Sequence, residues 1–224
     1  MTARPTHSAL QQVRAAIRAN ALPGVLLWCG LAVLLLAYAT VPSFQQGLAR
    51  WGDVKQAWGL TFAFVSYVVF AVLVPEGLSV ALGRQTWTRK TTMDVLYAAL
   101  VFGTIGLTVD ILYGVQVHLF GEQSDAITLV KKMLFDQFVY SPVSNYLIVA
   151  LFAWREGGFS LKTLRHLFSA DFLAHQYLPV LIAMWCVWIP GVMVIYFMPT
   201  ELQFPVASLI LVFWILIFKF VRKG

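Results

Sequence analysis

The sequence predicts an all-α, polytopic transmembrane helix bundle of about six spans with both termini on the cytoplasmic side. Three observations predict it: long apolar runs, little charge, and basic residues that alternate in number from loop to loop. Of the 224 residues, 60% are hydrophobic and 12% are charged, against roughly 45–50% and about 25% in an ordinary soluble domain. A bilayer core about 30 Å thick needs about 20 apolar residues in helical form to cross it. This chain has several runs of that length, and a soluble protein of this size has no interior in which to bury them.

The first element is a basic segment, Met1 to Ala21, carrying Arg4, Arg14 and Arg18 ahead of the first acidic residue, Asp53. Ser8 is placed to cap an interfacial helix over Ala9 to Asn20. The segment also has the arginine-rich, acid-free character of a mitochondrial presequence, but a positive flank that holds the N-terminus inside is the simpler expectation. Residues 22–224 read as one transmembrane domain, with spans at about 22–41, 58–82, 95–120, 137–153, 177–197 and 202–218. Ala37-Tyr38-Ala39 fits a signal-cleavage pattern, yet the run before it is long enough to span, so it is read as uncleaved. The spans at 137–153 and 202–218 are short, and flanking residues or local bilayer thinning must make up the length. In the long polar connection 154–175, Leu161, Leu164, Leu167 and Phe168 recur at helical spacing beside Lys162 and Arg165. That pattern predicts a short amphipathic helix at headgroup level.

The basic residues set the orientation. Arg4, Arg14, Arg18, Arg84, Arg89, Lys90, Arg155, Lys162, Arg165, Lys219, Arg222 and Lys223 fall on one side of a six-span chain. Arg50, Lys55, Lys131 and Lys132 fall on the other. Together they account for all 16 lysines and arginines, and the richer side is cytoplasmic by the positive-inside rule. The net charge of +6 is therefore explained by topology, and no nucleic-acid partner is expected. Cys29 and Cys186 lie inside apolar runs and read as small hydrophobes, neither a disulfide nor a metal pair. His118 and His175 stand near span ends without metal-binding spacing. HExxH, GxSxG, Walker-type and GxGxxG patterns are absent from the sequence, which lowers the enzyme class. No metal or other cofactor is implied.

Candidate functional residues are the ionisable and polar ones within apolar surroundings. A charge at the centre of a bilayer costs at least about 2.5–3.5 kcal/mol, so it needs a reason to be there. Asp110 is the clearest case. Gly103, Gly106, Asp110, Gly114 and His118 fall in one stripe of the third span, and small residues let a neighbouring helix approach closely. Asp110 is thus expected to face the bundle, as a pore-lining or titrating carboxylate or as a structural partner. The fourth span opens on Asp136, Gln137, Tyr140, Ser141 and Ser144, roughly on one side, while Pro142 frees a carbonyl that needs a new donor. This polar side is read as a wet cavity or as a seam packing helices. Glu76, after Pro75, is expected near the interface with Arg84 as partner. Trp185 and Trp188 at mid-span suggest tight packing, and Pro190-Gly191 predicts a kink.

Lys132, Asp136-Gln137 and Pro142 read as K-x-x-x-D-Q-x-x-x-x-P. This resembles the third-span motif of the Mpv-seventeen family, which includes the twenty-two-kilodalton peroxisomal membrane protein. The family's upstream F-G and G-P-x-x-H-x-W-Y is similar to Phe102-Gly103 and Gly106 to Tyr113, with Leu107, Asp110 and Leu112 replacing its proline, histidine and tryptophan. Trp185, Trp188 and Pro190 resemble its aromatic-proline motif, Pro199 a later proline, and Trp214 its last-span tryptophan. The family's glutamine and asparagine between those prolines have no counterpart in Val192 to Phe197, and Gln203 stands near the place of its arginine. The resemblance covers about the C-terminal half.

It implies a multi-span protein of a mitochondrial, peroxisomal or related membrane, channel-like or linked to metabolite balance. A bacterial plasma membrane fits the charge pattern equally. The positions that carry over are Lys132, Asp136, Gln137, Pro142 and Tyr113. The expectation is therefore a polar cavity between the third, fourth and fifth spans. Asp110 and His118 line it, while Asp136, Gln137, Tyr140 and Ser144 line or shape its entrance, with Lys132 pairing to Asp136 at i,i+4. Its partners are the lipid bilayer, small ions or metabolites, and a second copy of the chain. The rival expectations are a structural or assembly protein without transport, and a membrane enzyme using Asp110 and His118 as acid and base.

Overall fold

A computed structural model describes residues 21–123, 125–197 and 200–223. The basic segment before Ala21 and Pro199 lie outside the described residues. Among those described, the chain is all-helical. Helix α1 is Ala21–Thr40, α2 is Pro42–Trp58, and α3 is Leu60–Ala81. Helix α4 is Arg89–Phe120, α5 covers 126–156, and α6 is Leu161–Leu167. Helix α7 covers 170–197 and α8 is Thr200–Lys223.

Four helices are long and apolar enough to cross a membrane: Leu60–Ala81, Arg89–Phe120, Ala170–Ile195 and Leu202–Lys219. A fifth crossing exists if α1 and α2, bent by 106° at Val41, form one broken span. The sequence predicts a polar loop where α2 stands. Pro42 sits in its first turn, where a missing N–H costs nothing. Buried Leu48 packs with Ile195, Leu202 and Val206. Gly59, at φ +50°, then turns the chain into α3, a left-handed conformation natural to glycine.

The stretch 137–153 is helical but does not rank with the long apolar helices. Its two sides differ. Val139, Val143 and Leu147 are exposed, while Gln137, Ser141, Ser144 and Asn145 are buried. The polar side lowers the mean hydropathy, and the apolar side faces outward as a lipid-facing surface would.

The core joins α3, α4, α5, α7 and α8 around Ala71, Phe102, Val149, Phe152, Met184 and Phe218. Helix α4 begins with a capping box, Thr88 with Thr91. Asp125 caps α5 through the N–H groups of Ile127 and Thr128, and bonds from Thr128 hold its carboxyl below the usual aspartate range. The expected amphipathic helix is α6, capped by Ser160. It buries Leu167 and leaves Leu161 and Phe168 exposed.

Three π-helical stretches, Val68–Leu73, Asp136–Tyr140 and Leu173–Tyr177, interrupt α3, α5 and α7. Each ends two residues before a proline: Pro75, Pro142 or Pro179. A proline ring crowds the carbonyl four residues back, and widening the preceding turn by one residue relieves that contact. At Pro190 the α-helix Leu178–Phe197 continues without such a turn.

Candidate functional site

The glycine stripe of α4 is buried over its first half only. Gly103 and Gly106 are buried against Phe64, Ala63 and Tyr67 of α3. Gly114 and His118 are exposed. Asp110 lies at the change between the two. Its side chain is 30% exposed and its ion-pair partner is Lys55 Nζ at 3.9 Å, from α2. Asp110 is thus neither enclosed in the bundle nor bare to lipid, and His118 does not join it. The partner was not legible because α2 reads as a loop in the sequence.

The residues at the start of the fourth predicted span do come together. Asp136 Oδ1 accepts from Ser141 Oγ at 3.2 Å, and its Oδ2 from Gln137 Nε2 at 3.3 Å. The Tyr140 and Thr108 hydroxyls, from α5 and α4, are 2.6 Å apart. Ser144 Oγ donates to the Ser141 carbonyl at 3.2 Å. Tyr67 of α3 lies within electrostatic reach of Tyr113, Tyr140 and Asp136. Lys132 and Asp136 form no ion pair among the described residues, contrary to the i,i+4 expectation. The π turn places Ser141, five residues on, against the carboxylate instead. Lys132 contributes its carbonyl, which accepts from Gln116 Nε2 of α4 at 3.0 Å.

Pro142 explains the role of Trp185. In the π turn the Ser141 N–H bonds the Asp136 carbonyl. The next bond in that register would join residue 142 to the Gln137 carbonyl, and proline has no N–H. Trp185 Nε1 of α7 supplies the donor at 2.8 Å. An indole from another helix thus replaces the missing backbone bond, and Pro142, Gln137 and Trp185 form one unit. Trp185→Phe is expected to leave the Gln137 carbonyl unpaired and cost about 1–3 kcal/mol. Thermal unfolding in detergent measures this, and an unchanged midpoint would remove the unit from the account.

A cavity of about 720 Å³ lies elsewhere, at the end of the bundle where α3, α4, α5 and α8 meet. Phe102, Phe152, Phe218, Ala71 and Val72 are among its apolar lining. Its charged lining is four cations (Arg89, Lys90, Arg155 and Lys219) and three anions (Glu76, Asp94 and Glu156). Glu76 is buried, and its carboxylate accepts from Gln85 Nε2 and Lys219 Nζ. Its partner therefore comes from the last helix, where the sequence suggested Arg84. Asp94 takes Arg155 Nη2 at 2.8 Å and Lys90 Nζ at 3.0 Å. The Arg155 guanidinium stands 4.5 Å from the centre of the Tyr97 ring, a cation–π contact. Sequence reasoning missed this cavity, because its charged residues belong to loop flanks and are counted there as topology signals. No protein-family model, curated protein or solved structure matches the chain.

Proposed function

We propose that this is an integral membrane protein of six crossings, with both termini cytoplasmic, that carries ions or small solutes across a plasma or organelle membrane. The observation that carries the reading is the cavity of about 720 Å³ at one end of the bundle, with its charged rim and apolar floor. Ligand sites are concave, mostly apolar, and hold a few polar groups in fixed places. The cavity residues Arg89, Lys90, Arg155 and Lys219 belong to the side richer in lysine and arginine, so it opens inward. The exposed Val139, Val143 and Leu147 support 137–153 as a crossing in spite of its polar side. In this account Asp110 and Lys55 close the outer end, and the Asp136 group shapes the helices between. On its motif the chain is a distant relative of the Mpv-seventeen family. That motif's Gln137 accepts from Trp185 through its carbonyl.

A structural or assembly role is the second reading. It is favoured by contacts that tie helices without lining a path: Tyr140 with Thr108, Trp185 with Gln137, and Gln116 with Lys132. Flux of potassium, chloride and small organic acids in proteoliposomes separates the two. Wild type is expected to conduct or exchange at least one of them. Asp110→Asn is expected to change the rate or selectivity with helix content unchanged. Absence of flux for every solute, across voltages and gradients, would favour the structural role.

A further inference from the structure

We infer that the inner cavity is a binding site for an amphiphile with an acidic head, its carboxylate or phosphate held by Arg155 and Lys90 and its tail lying on Phe102 and Phe152. The charge balance points to an anion. Asp94 is shared by two cations, Arg155 and Lys90, and the whole lining, four cations against three anions, carries one positive charge in surplus. The Glu76 charge across the cavity is already met by Lys219 and Gln85. A guanidinium has five N–H donors in a planar fork suited to carboxylate and phosphate. Arg155 reaches Asp94 through Nη2 and stands over the Tyr97 ring, so two contacts restrain the guanidinium before any ligand arrives. Below this rim the lining turns apolar, at Val95, Phe102 and Phe152. A free inorganic anion would leave that floor without a partner, while an acyl chain would cover it. Basic pockets between helices at the cytoplasmic face meet the leaflet that carries anionic lipid. The acid can therefore come from a membrane phospholipid or from a single-chain fatty acid, and the head and tail chemistry is the same for both.

This deepens the transport reading and rests on the same cavity. The test is equilibrium binding to the full chain in nanodiscs of neutral phosphatidylcholine, with protein-free discs subtracted. The probes are laurate, dilauroyl phosphatidate, the neutral monolaurin and inorganic phosphate. Laurate or phosphatidate is expected to bind saturably, and whichever binds more tightly names the source. Monolaurin and phosphate alone are expected to bind at least tenfold more weakly, since a charged hydrogen bond is worth about 1.5–3 kcal/mol and each 1.4 kcal/mol is tenfold. Arg155→Met should weaken laurate about tenfold. Lys90→Ala, at a side chain 85% exposed, should weaken it severalfold without a folding defect. Asp94→Asn should tighten binding, because it removes the competing carboxylate. Equal binding of monolaurin, or laurate affinity unchanged in both cation variants, would overturn the site. Saturable laurate binding by a protein that shows no flux in proteoliposomes supports the site and counts against transport alone. Ion flux in a protein that binds none of the probes counts against the site alone.

Discussion

Gly106→Ala is expected to destabilise the bundle by about 1–3 kcal/mol, the usual cost of overpacking a filled interior. The added Cβ would sit 2.6 Å from the Ala63 carbonyl oxygen and 2.8 Å from the Tyr67 ring. A ring can swing aside, but a backbone carbonyl moves only with its helix, so α3 must draw back from α4. The neighbouring glycines provide an internal scale. At Gly103 the atoms nearest the new methyl are all of the Phe64 ring, which can swing aside, and Gly103→Ala should cost less. At Gly114 nothing stands within 4 Å, and alanine there should be neutral or stabilising, by up to about 1 kcal/mol from helix propensity. The expected order of loss, Gly106 above Gly103 above Gly114, is measured by unfolding midpoints in one detergent. A uniform effect at all three would mean that α3 and α4 are not held at this distance by glycine.

Much of the fold is legible in the sequence because the bilayer imposes a coarse rule. Apolar length fixes where α3, α4, α7 and α8 lie, and periodic leucines place α6. Helix α2 was not legible. Gln45, Gln46, Arg50, Asp53, Lys55 and Gln56 make it polar on most sides, and its only buried residue is Leu48. Its helicity rests on the proline at its start and on packing against α7 and α8, which a local pattern does not contain. The π turns were half legible: each lies just before a proline, but the sequence alone allows a kink as readily as a widened turn. The candidate site divides in the same way. Residues that are neighbours on one helix, Asp136, Gln137, Ser141 and Ser144, were found together because spacing alone relates them. Pairs that join distant helices, Asp110 with Lys55 and Asp94 with Arg155, were not, because no periodicity links residues of separate elements. In the inner cavity Asp94 with Arg155 and Glu76 with Lys219 are both of that kind.

Glu76→Leu is expected to be the most damaging single substitution, at about 3–5 kcal/mol, because it leaves the Lys219 ammonium beside an apolar wall without its carboxylate. Glu76 is 7% exposed and Lys219 retains 30% of its side-chain surface. The lysine can therefore recover part of its hydration at the cavity mouth, which places the expected loss toward the lower end of that range. The pair joins α3 to α8 across 143 residues of sequence. Charge and packing separate in the double variant. Glu76→Leu with Lys219→Met removes both charges at similar volume and should restore most of the stability, since a buried pair replaced as a whole by apolar groups is often neutral or better. Chemical unfolding of the two single variants and the double gives the coupling energy directly. Strong coupling with full recovery would mean that the pair is not needed for folding. Its presence is then accounted for by the cavity it lines, and the stable double variant becomes the protein in which to measure flux and acid binding without that charge pair. If the two single losses simply add in the double variant, Glu76 and Lys219 act separately on stability, and the link between α3 and α8 must be sought in Phe62 and Phe204, whose rings are 5.1 Å apart.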